Sequence, residues 1–273
     1  MGDWGTSGGA FTATVGQNAA ASTGTTVTAA ASANVKGAWV ALSASTPIRA
    51  GAIVVMLAPP VNSADHLVDI SIGAAGFETI IVPDILYSGR SHDYNGYYFF
   101  PIGIPLGSRI AARCQSTGAN LTLTAAVILL LGGFSAPSAG GSVTTYGAVT
   151  ADSGGTQVDP GGTANTKQAW SELTAATGAR TRQILVGFGN VNNNVRTSQQ
   201  WLIDLATGPA AQEHIIIPDL MLAASSVGDL VAPPILGPFS VGIPAGSRLA
   251  ARAQSDGTDG TDRLFDIAVY GVS

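Results

Sequence analysis

The chain has 273 residues, of which 46% are hydrophobic and only 11% are charged, and its formal net charge is −5. Its Lys and Arg residues form no cluster, which argues against nucleic-acid binding through phosphates, and its single cysteine, Cys114, excludes an intrachain disulfide. The longest apolar run, residues 125–133, is too short to span a bilayer, and residues 1–9 lack the basic and apolar segments of a signal peptide. We therefore expect synthesis in the cytosol and no membrane insertion.

Few charges combined with many Gly, Ala, Ser and Thr residues favour a β-rich protein with tight turns. A surface so poor in charge is typical of a protein that meets other protein over a wide area. A stable β protein with a Ser/Thr-coated exterior would have the same composition. Both interpretations stay open at this point.

The first segment in chain order, residues 1–23, is a low-complexity stretch that contains Trp4 and Phe11. It has little apolar surface with which to offset an ordering entropy of roughly 1–2 kcal/mol per residue. We therefore predict an N-terminal arm that is held by a neighbouring chain, with Trp4 and Phe11 as the anchors. Residues 134–154 have a similar composition and are predicted to be the linker between the domains, together with a first strand of the second domain.

Between these segments, residues 24–133 read as a β domain. Short β-prone runs are separated mostly by Gly, Pro, Asn, Asp and Ser, and no long helical periodicity occurs. The runs lie at residues 51–57, 67–72, 78–82, 97–104, 109–115 and 121–131. The pattern predicts an antiparallel β-sandwich of jelly-roll or related type.

Residues 155–273 repeat the same order of motifs. "IPLGSRIAARCQS" at 104–116 returns as "IPAGSRLAARAQS" at 243–255, and Trp39 has its match in Trp170. The shift between matched residues grows from 131 at this Trp pair to 139 at the thirteen-residue phrase, which is what small loop insertions produce. The chain is therefore predicted to be all-β, with two tandem duplicated β-sandwich domains.

The repeated phrase places two arginines on one face of a strand in each domain. These are Arg109 and Arg113 in the first copy and Arg248 and Arg252 in the second. They suggest either a clamp for a carboxylate or phosphate ligand or ion pairs with acids of the same domain. We favour the ion pairs, because Asp69 and Asp204 recur at matching positions, as do Glu78 and Glu213.

An aromatic stretch, "YNGYYFF" at residues 94–100, occurs in the first domain only. Its tyrosines, Tyr94, Tyr97 and Tyr98, are candidates for a sugar platform or a protein contact. The alternative is that alternate members of a strand simply point into the core. The sequence leaves these two interpretations balanced.

No catalytic or metal-binding pattern stands out. The three histidines lack metal-ligand spacing, no G-x-S-x-G phrase occurs, and no phosphate-binding glycine loop precedes a helix. We therefore expect no cofactor, no metal and no enzymatic activity.

The phrases at residues 67–86 and 104–116 resemble repeat units of structural proteins from tailed bacteriophages. The resemblance implies a virion component and names no catalytic residue. It leads us to expect a capsid decoration protein that contacts other virion proteins and forms a homo-oligomer. The alternatives are a tail fibre or tip protein that binds host surface glycans, and a free carbohydrate-binding β-sandwich protein.

Overall fold

The computed structural model describes residues 12–58, 64–88, 95–131, 141–190, 199–224, 235–257 and 264–273. These residues form twenty β-strands in four antiparallel sheets, which we number I to IV. Within this described part, no helical segment has the length and apolar character that a membrane crossing requires. The chain is all-β, as the sequence predicts.

The first half of the chain forms sheets I and II. Sheet I has the order β2-β3-β10-β5-β8, with β1 also paired to β10, and sheet II has the order β4-β9-β6-β7. The strands are β1 (Thr12–Val15), β2 (Gln17–Asn18), β3 (Thr23–Thr28), β4 (Val40–Ser43), β5 (Ala52–Ala58), β6 (Asp65–Ile72), β7 (Thr79–Ser88), β8 (Gly96–Phe100), β9 (Ile110–Ser116) and β10 (Thr122–Leu130). The eight strands from β3 to β10 have the arrangement of a jelly roll.

The second half repeats this arrangement in sheets III and IV. Sheet III has the order β12-β13-β20-β15-β18, with β11 paired to β20, and sheet IV has the order β14-β19-β16-β17. The strands are β11 (Val143–Tyr146), β12 (Ala148–Val149), β13 (Gly154–Val158), β14 (Ser171–Thr174), β15 (Thr181–Asn190), β16 (Gln199–Thr207), β17 (His214–Ala224), β18 (Ile235–Ile243), β19 (Leu249–Ser255) and β20 (Phe265–Val272). The strand orders confirm the predicted tandem duplication.

Strand β10 shows how the sequence builds each sandwich. Its residues alternate, so that Leu123, Ala125, Val127 and Leu129 point into the core and are fully buried. The intervening residues face outward and are mostly half-buried. The same alternation in the facing strands closes the apolar core between sheets I and II.

The structure corrects the predicted domain boundaries. Residues 12–23 belong to sheet I, because β1 pairs with β10 and β2 pairs with β3. Within the predicted linker, β11 pairs with β20 and β12 pairs with β13. The Thr and Val residues of β1 and β11 favour strands. Their small side chains bury little apolar surface, but their backbone groups form hydrogen bonds with a neighbouring strand, and these bonds hold them in the sheet. Residues 1–11 and 132–140 lie outside the described residues.

The two sandwiches stack through the outer faces of sheets II and III. Residues of β11, β15 and β20 contact β7, and β13 contacts both β6 and β7. The outward side chains of sheet III, among them Leu185, Ala268 and Val272, belong to the same apolar cluster as the core of the first half. Strands β6 and β20 are consequently buried on both faces.

At the centre of this interface, two tyrosine hydroxyls satisfy the free edge of β7. The backbone N–H of Leu86 donates to the Tyr270 hydroxyl at 2.8 Å, and the Tyr98 hydroxyl donates to the Leu86 carbonyl at 2.7 Å. The Tyr270 ring also makes edge contacts with the rings of Tyr98 and Phe100. One tyrosine comes from each half, so the capped edge joins the two sandwiches.

Two glycines let sheet III approach this edge closely. A Cβ atom at Gly187 would lie 2.8 Å from the Tyr270 hydroxyl oxygen, and one at Gly189 would lie 3.3 Å from a methyl carbon of Leu86. A larger residue at Gly189 would push the two halves apart, and one at Gly187 would displace the Tyr270 side chain that caps the edge.

We predict that Tyr270→Phe lowers the free energy of unfolding by about 1–3 kcal/mol, because it leaves the buried Leu86 N–H without an acceptor. The matched control is Tyr146→Phe, whose hydroxyl makes no hydrogen bond among the described residues although the side chain is buried. Urea denaturation of both variants measures the difference. Equal losses in the two variants would contradict the role of the edge cap.

Candidate functional site

A cluster of charged residues on the outer face of sheet II gathers the residues that the sequence singles out. Asp69 accepts hydrogen bonds from Lys36 Nζ at 2.7 Å and from Arg113 Nε at 2.8 Å. Lys36 also pairs with Asp84 at 2.7 Å, and the Arg113 guanidinium lies 4.5 Å from the centroid of the Trp39 ring. The Trp ring covers one face of the guanidinium, which holds the arginine in place.

The second half repeats this cluster on sheet IV. Asp204 accepts from Lys167 Nζ at 2.7 Å and from Arg252 Nε at 2.9 Å. Lys167 also pairs with Asp219 at 2.9 Å, and Arg252 lies 4.5 Å from the centroid of the Trp170 ring. The predicted correspondence of Trp39 with Trp170 is therefore confirmed.

The remaining predicted arginines are paired as well. Arg109 contacts Glu78 at 3.0 Å, and Arg248 contacts Glu213 at 3.0 Å and Glu172 at 2.6 Å. The predicted ion pairs are confirmed in both domains. A clamp for an anionic ligand is not supported, because these guanidinium groups are occupied by carboxylates of their own domain.

Burial and hydrogen bonding compete at the shared carboxylate. Burial by itself would raise the pKa of Asp204, but hydrogen bonds from Lys167, from the Asp219 backbone N–H and from Arg252 hold this pKa below its ordinary value. Asp204 is therefore ionised at neutral pH and locked to two cations. Such a cluster fixes a loop and three strands together and does not present a group for proton transfer.

One lysine and one aspartate of each cluster were not predicted from the sequence. Lys36 and Lys167 stand at matching positions before the repeated tryptophans, and Asp84 and Asp219 follow the Pro of the repeated "IPDL" and "VPDI" phrases. The repetition of these charges was the available signal. The ion pairs of these lysines with the aspartate in β6 or β16 form only because the fold brings the lysine loop next to that strand.

The structure separates the candidate aromatic residues. Tyr97 faces outward from β8 with 54% of its surface exposed, as expected for a contact residue. The prediction that Tyr98 is a contact residue is wrong, because its side chain is 1% exposed and its hydroxyl donates to the edge of β7. The physical reason is the alternation of a strand, which sends neighbouring residues to opposite faces. Trp4, Phe11 and Tyr94 lie outside the described residues.

Tyr97 borders a groove on the outer face of sheet I. The groove has a volume of about 680 Å³ and runs over β10 between the β2–β3 turn and β8. Its floor includes Met56, Ala58 and Ala126, and amide side chains of Gln17, Asn18 and Asn95 line its sides. It is an open, mixed polar and apolar surface without a charged residue in its lining.

Two side chains with reactive or titratable groups, Cys114 and His66, are buried in the first half. Among the described residues no three His, Cys, Asp or Glu side chains are grouped to hold a metal ion. Cys114 is fully buried, and burial raises the pKa of its thiol to about 12. His66 is also fully buried, and burial lowers its pKa to about 4. Both side chains are therefore uncharged components of the first core.

Comparisons with known proteins add little. No protein-family model and no curated protein sequence matches the chain. Among solved structures, the chain is similar to the N-terminal CBM22-1-CBM22-2 tandem domain of Xyn10C from Paenibacillus barcinonensis, at 12% identity and a TM-score of 0.25. The match covers 86% of this chain and 82% of that chain. A likeness at this level carries no argument about function.

We predict that Asp69→Asn destabilises the protein by roughly 2 kcal/mol, because Lys36 and Arg113 lose the buried carboxylate that they share. Asp219→Asn is the matched control, since its side chain is 60% exposed and its removal should cost less than about 0.5 kcal/mol. Urea denaturation compares the two. A similar loss in both variants would show that burial of the shared carboxylate is not what matters.

Protonation of His66 should make folding pH-dependent. The folded protein keeps the His66 imidazole neutral down to a pKa of about 4, whereas in the unfolded chain the imidazole has its ordinary pKa of 6.5. Its contribution is therefore fully present above pH 6.5 and is lost as pH falls towards 4, by up to about 3 kcal/mol.

The variant that tests this is His66→Leu, which should show a smaller loss of stability between pH 6.5 and 4 than the wild type. Thermal melts across this pH range give the profiles. If the His66→Leu and wild-type profiles coincide, buried His66 does not cause the pH dependence.

Proposed function

We propose that this chain is a non-enzymatic structural protein of a tailed-bacteriophage particle, placed on the outside of the capsid as a decoration protein. The single observation that carries the proposal is the stacking of the two sandwiches into one body. Sheets II and III share a buried interface with an edge cap, and sheets I and IV remain as broad outer faces. Such a body suits a protein whose task is to hold position between neighbours.

The charge arrangement supports the same proposal. The described arginines of the repeated phrases are tied to acids of their own domains, and Cys114 and His66 are buried in the core. These groups stabilise the fold and are not positioned for chemistry on a substrate. The resemblance of residues 67–86 and 104–116 to repeat units of phage structural proteins gives the proposal its biological context.

The proposal is tested with particles that lack the chain. Purified chain should bind such particles in a cosedimentation assay, and a cryo-EM difference map should place it at symmetric positions on the capsid shell. Density along the tail would move the assignment to a fibre or tip protein. Absence from particles, both native and reconstituted, would overturn a virion role altogether.

The same binding assay tests the predicted N-terminal arm. A variant without residues 2–11 should keep its melting transition, since these residues precede the first described strand. If Trp4 and Phe11 anchor the chain to a neighbour, this variant should bind the particles at least tenfold more weakly. Unchanged binding would shift attachment to the faces of the sandwiches.

A second candidate function is glycan binding in the groove of sheet I. The exposed Tyr97 ring beside the amides of Gln17, Asn18 and Asn95 is the combination that stacks against a sugar and hydrogen-bonds its hydroxyls. Calorimetric titration with host surface polysaccharide tests it. Tyr97→Ala should abolish any binding, whereas Phe77→Ala, at an exposed aromatic outside the groove, should not.

A further inference from the structure

The two sandwiches meet through different faces, which makes their interface head-to-tail. The outer face of sheet II belongs to the first half, and its structural counterpart in the second half is the outer face of sheet IV. The outer face of sheet III belongs to the second half, and its counterpart in the first half is the outer face of sheet I. Among the residues that the structure describes, each kind of face is therefore covered once and left open once.

We propose that the open face of sheet IV binds the open face of sheet I of a second copy of this chain, repeating the contact that joins the two halves. Such an interface is heterologous, so it propagates into a ring or a filament and does not stop at a dimer. The inference concerns contacts between copies and holds whether or not the copies decorate a capsid.

The polar contacts of the internal interface provide the first argument. Gln115 donates to the Thr150 carbonyl at 2.7 Å and to Ser153 Oγ at 3.1 Å, and Ser153 Oγ donates to Asn34 Oδ1 at 2.8 Å. These bonds fasten the β12–β13 turn of the second half onto sheet II. Gln115 and Ser153 are buried by this contact.

The glutamine, asparagine and serine of the internal interface have counterparts of the same residue type on the two open faces. Gln254 and Asn165 occupy on sheet IV the positions of Gln115 and Asn34, as the register of β16 with β19 shows for the glutamine. Ser22 occupies in the β2–β3 turn the position of Ser153, with φ of 53° against 62°. Within the described residues the Gln254 amide makes no hydrogen bond. The donor and acceptor set of the internal interface is therefore present on both open faces.

A further polar contact of the internal interface also has its two partners repeated on the open faces. Thr145 of β11 donates its hydroxyl to the Pro83 carbonyl across the internal interface. Its counterparts are Thr14 in β1 and Pro218 in β17, on the two open faces. Repeating the internal interface would bring these two together in neighbouring copies.

Apolar shape gives an independent argument. Leu86 is fully buried, and its side chain lies beside Gly189 of sheet III. Its counterpart on sheet IV is Met221, which is 66% exposed although it is a large apolar side chain. The counterpart of Gly189 is Ala58, which lines the groove of about 680 Å³. In a repeated contact, the exposed Met221 of one copy would lie in the groove beside Ala58 of the next copy, as Leu86 lies beside Gly189 within the chain.

The copy-to-copy contact should be weaker than the internal one. Ile128 stands where Tyr270 caps the edge of β7, so the hydroxyl bond to the strand edge has no equivalent. Met56 replaces Gly187 and narrows the approach. We expect reversible association that depends on protein concentration.

The experiment uses the full chain with one altered face at a time. Met221→Glu places a charge on the sheet IV face, and Ala58→Glu places one in the groove of sheet I, with Met56→Glu as a second groove variant if Ala58→Glu fails to fold. Leu106→Glu is the matched control, because Leu106 is 65% exposed in the turn before β9 and lies on neither face.

Sedimentation velocity over a range of concentrations gives the readout. The wild type and the Leu106 variant should form species larger than a dimer, and each face variant should lower the association constant at least tenfold. An equimolar mixture of the two face variants should form dimers and nothing larger, because each variant retains the one face that the other lacks.

Three results would overturn the proposal. The first is a wild type that stays monomeric at all concentrations. The second is a face variant that associates as strongly as the wild type, since the altered face is then not part of the contact. The third is a mixture of the two face variants that does not dimerise, although each variant is folded.

Discussion

Burying the edge of a β-sheet inside a protein leaves a row of backbone N–H and C=O groups that need partners. The edge strand β7 is in this situation, because the second sandwich covers it. The hydroxyls of Tyr98 and Tyr270 satisfy both backbone groups of Leu86, and their rings pack edge to face around it. Without such partners each buried group would cost about 1–3 kcal/mol, and the two halves would have little reason to meet at this strand.

This constraint explains why the two halves differ where they do. The first half carries Tyr98 and Phe100 on β8, whereas the second half has Leu236 at the position of Tyr98. The aromatic residues are needed where an edge strand is covered by a second sandwich. Nothing in the described part of the chain covers the equivalent edge of β17, and Met221 lies exposed beside it.

The repeated ion-pair clusters do a different task. In each half a lysine from the loop before the first strand of the smaller sheet reaches the acid in the middle of that sheet, at 2.7 Å in both cases. The same lysines donate to the backbone carbonyls of Leu67 and Leu202. They bind a long loop to the sheet, which explains why charged residues recur at these positions in both halves.

The sequence by itself determined the duplication, the all-β class and the intradomain ion pairs. These features depend on alternation along a strand and on residues repeated at matching positions, and both can be read without a fold.

Only the tertiary structure decided how the halves meet. Nothing in the local pattern of residues 94–100 distinguishes Tyr97, which is exposed, from Tyr98, which reaches the edge of β7. Strand β1 was also not predicted, because its small residues pair with β10, which is far away in sequence. For residues 134–154 the sequence indicated a first strand but not its partner, β20. Contacts between distant strands depend on which faces pack together, and a one-dimensional pattern does not contain that information.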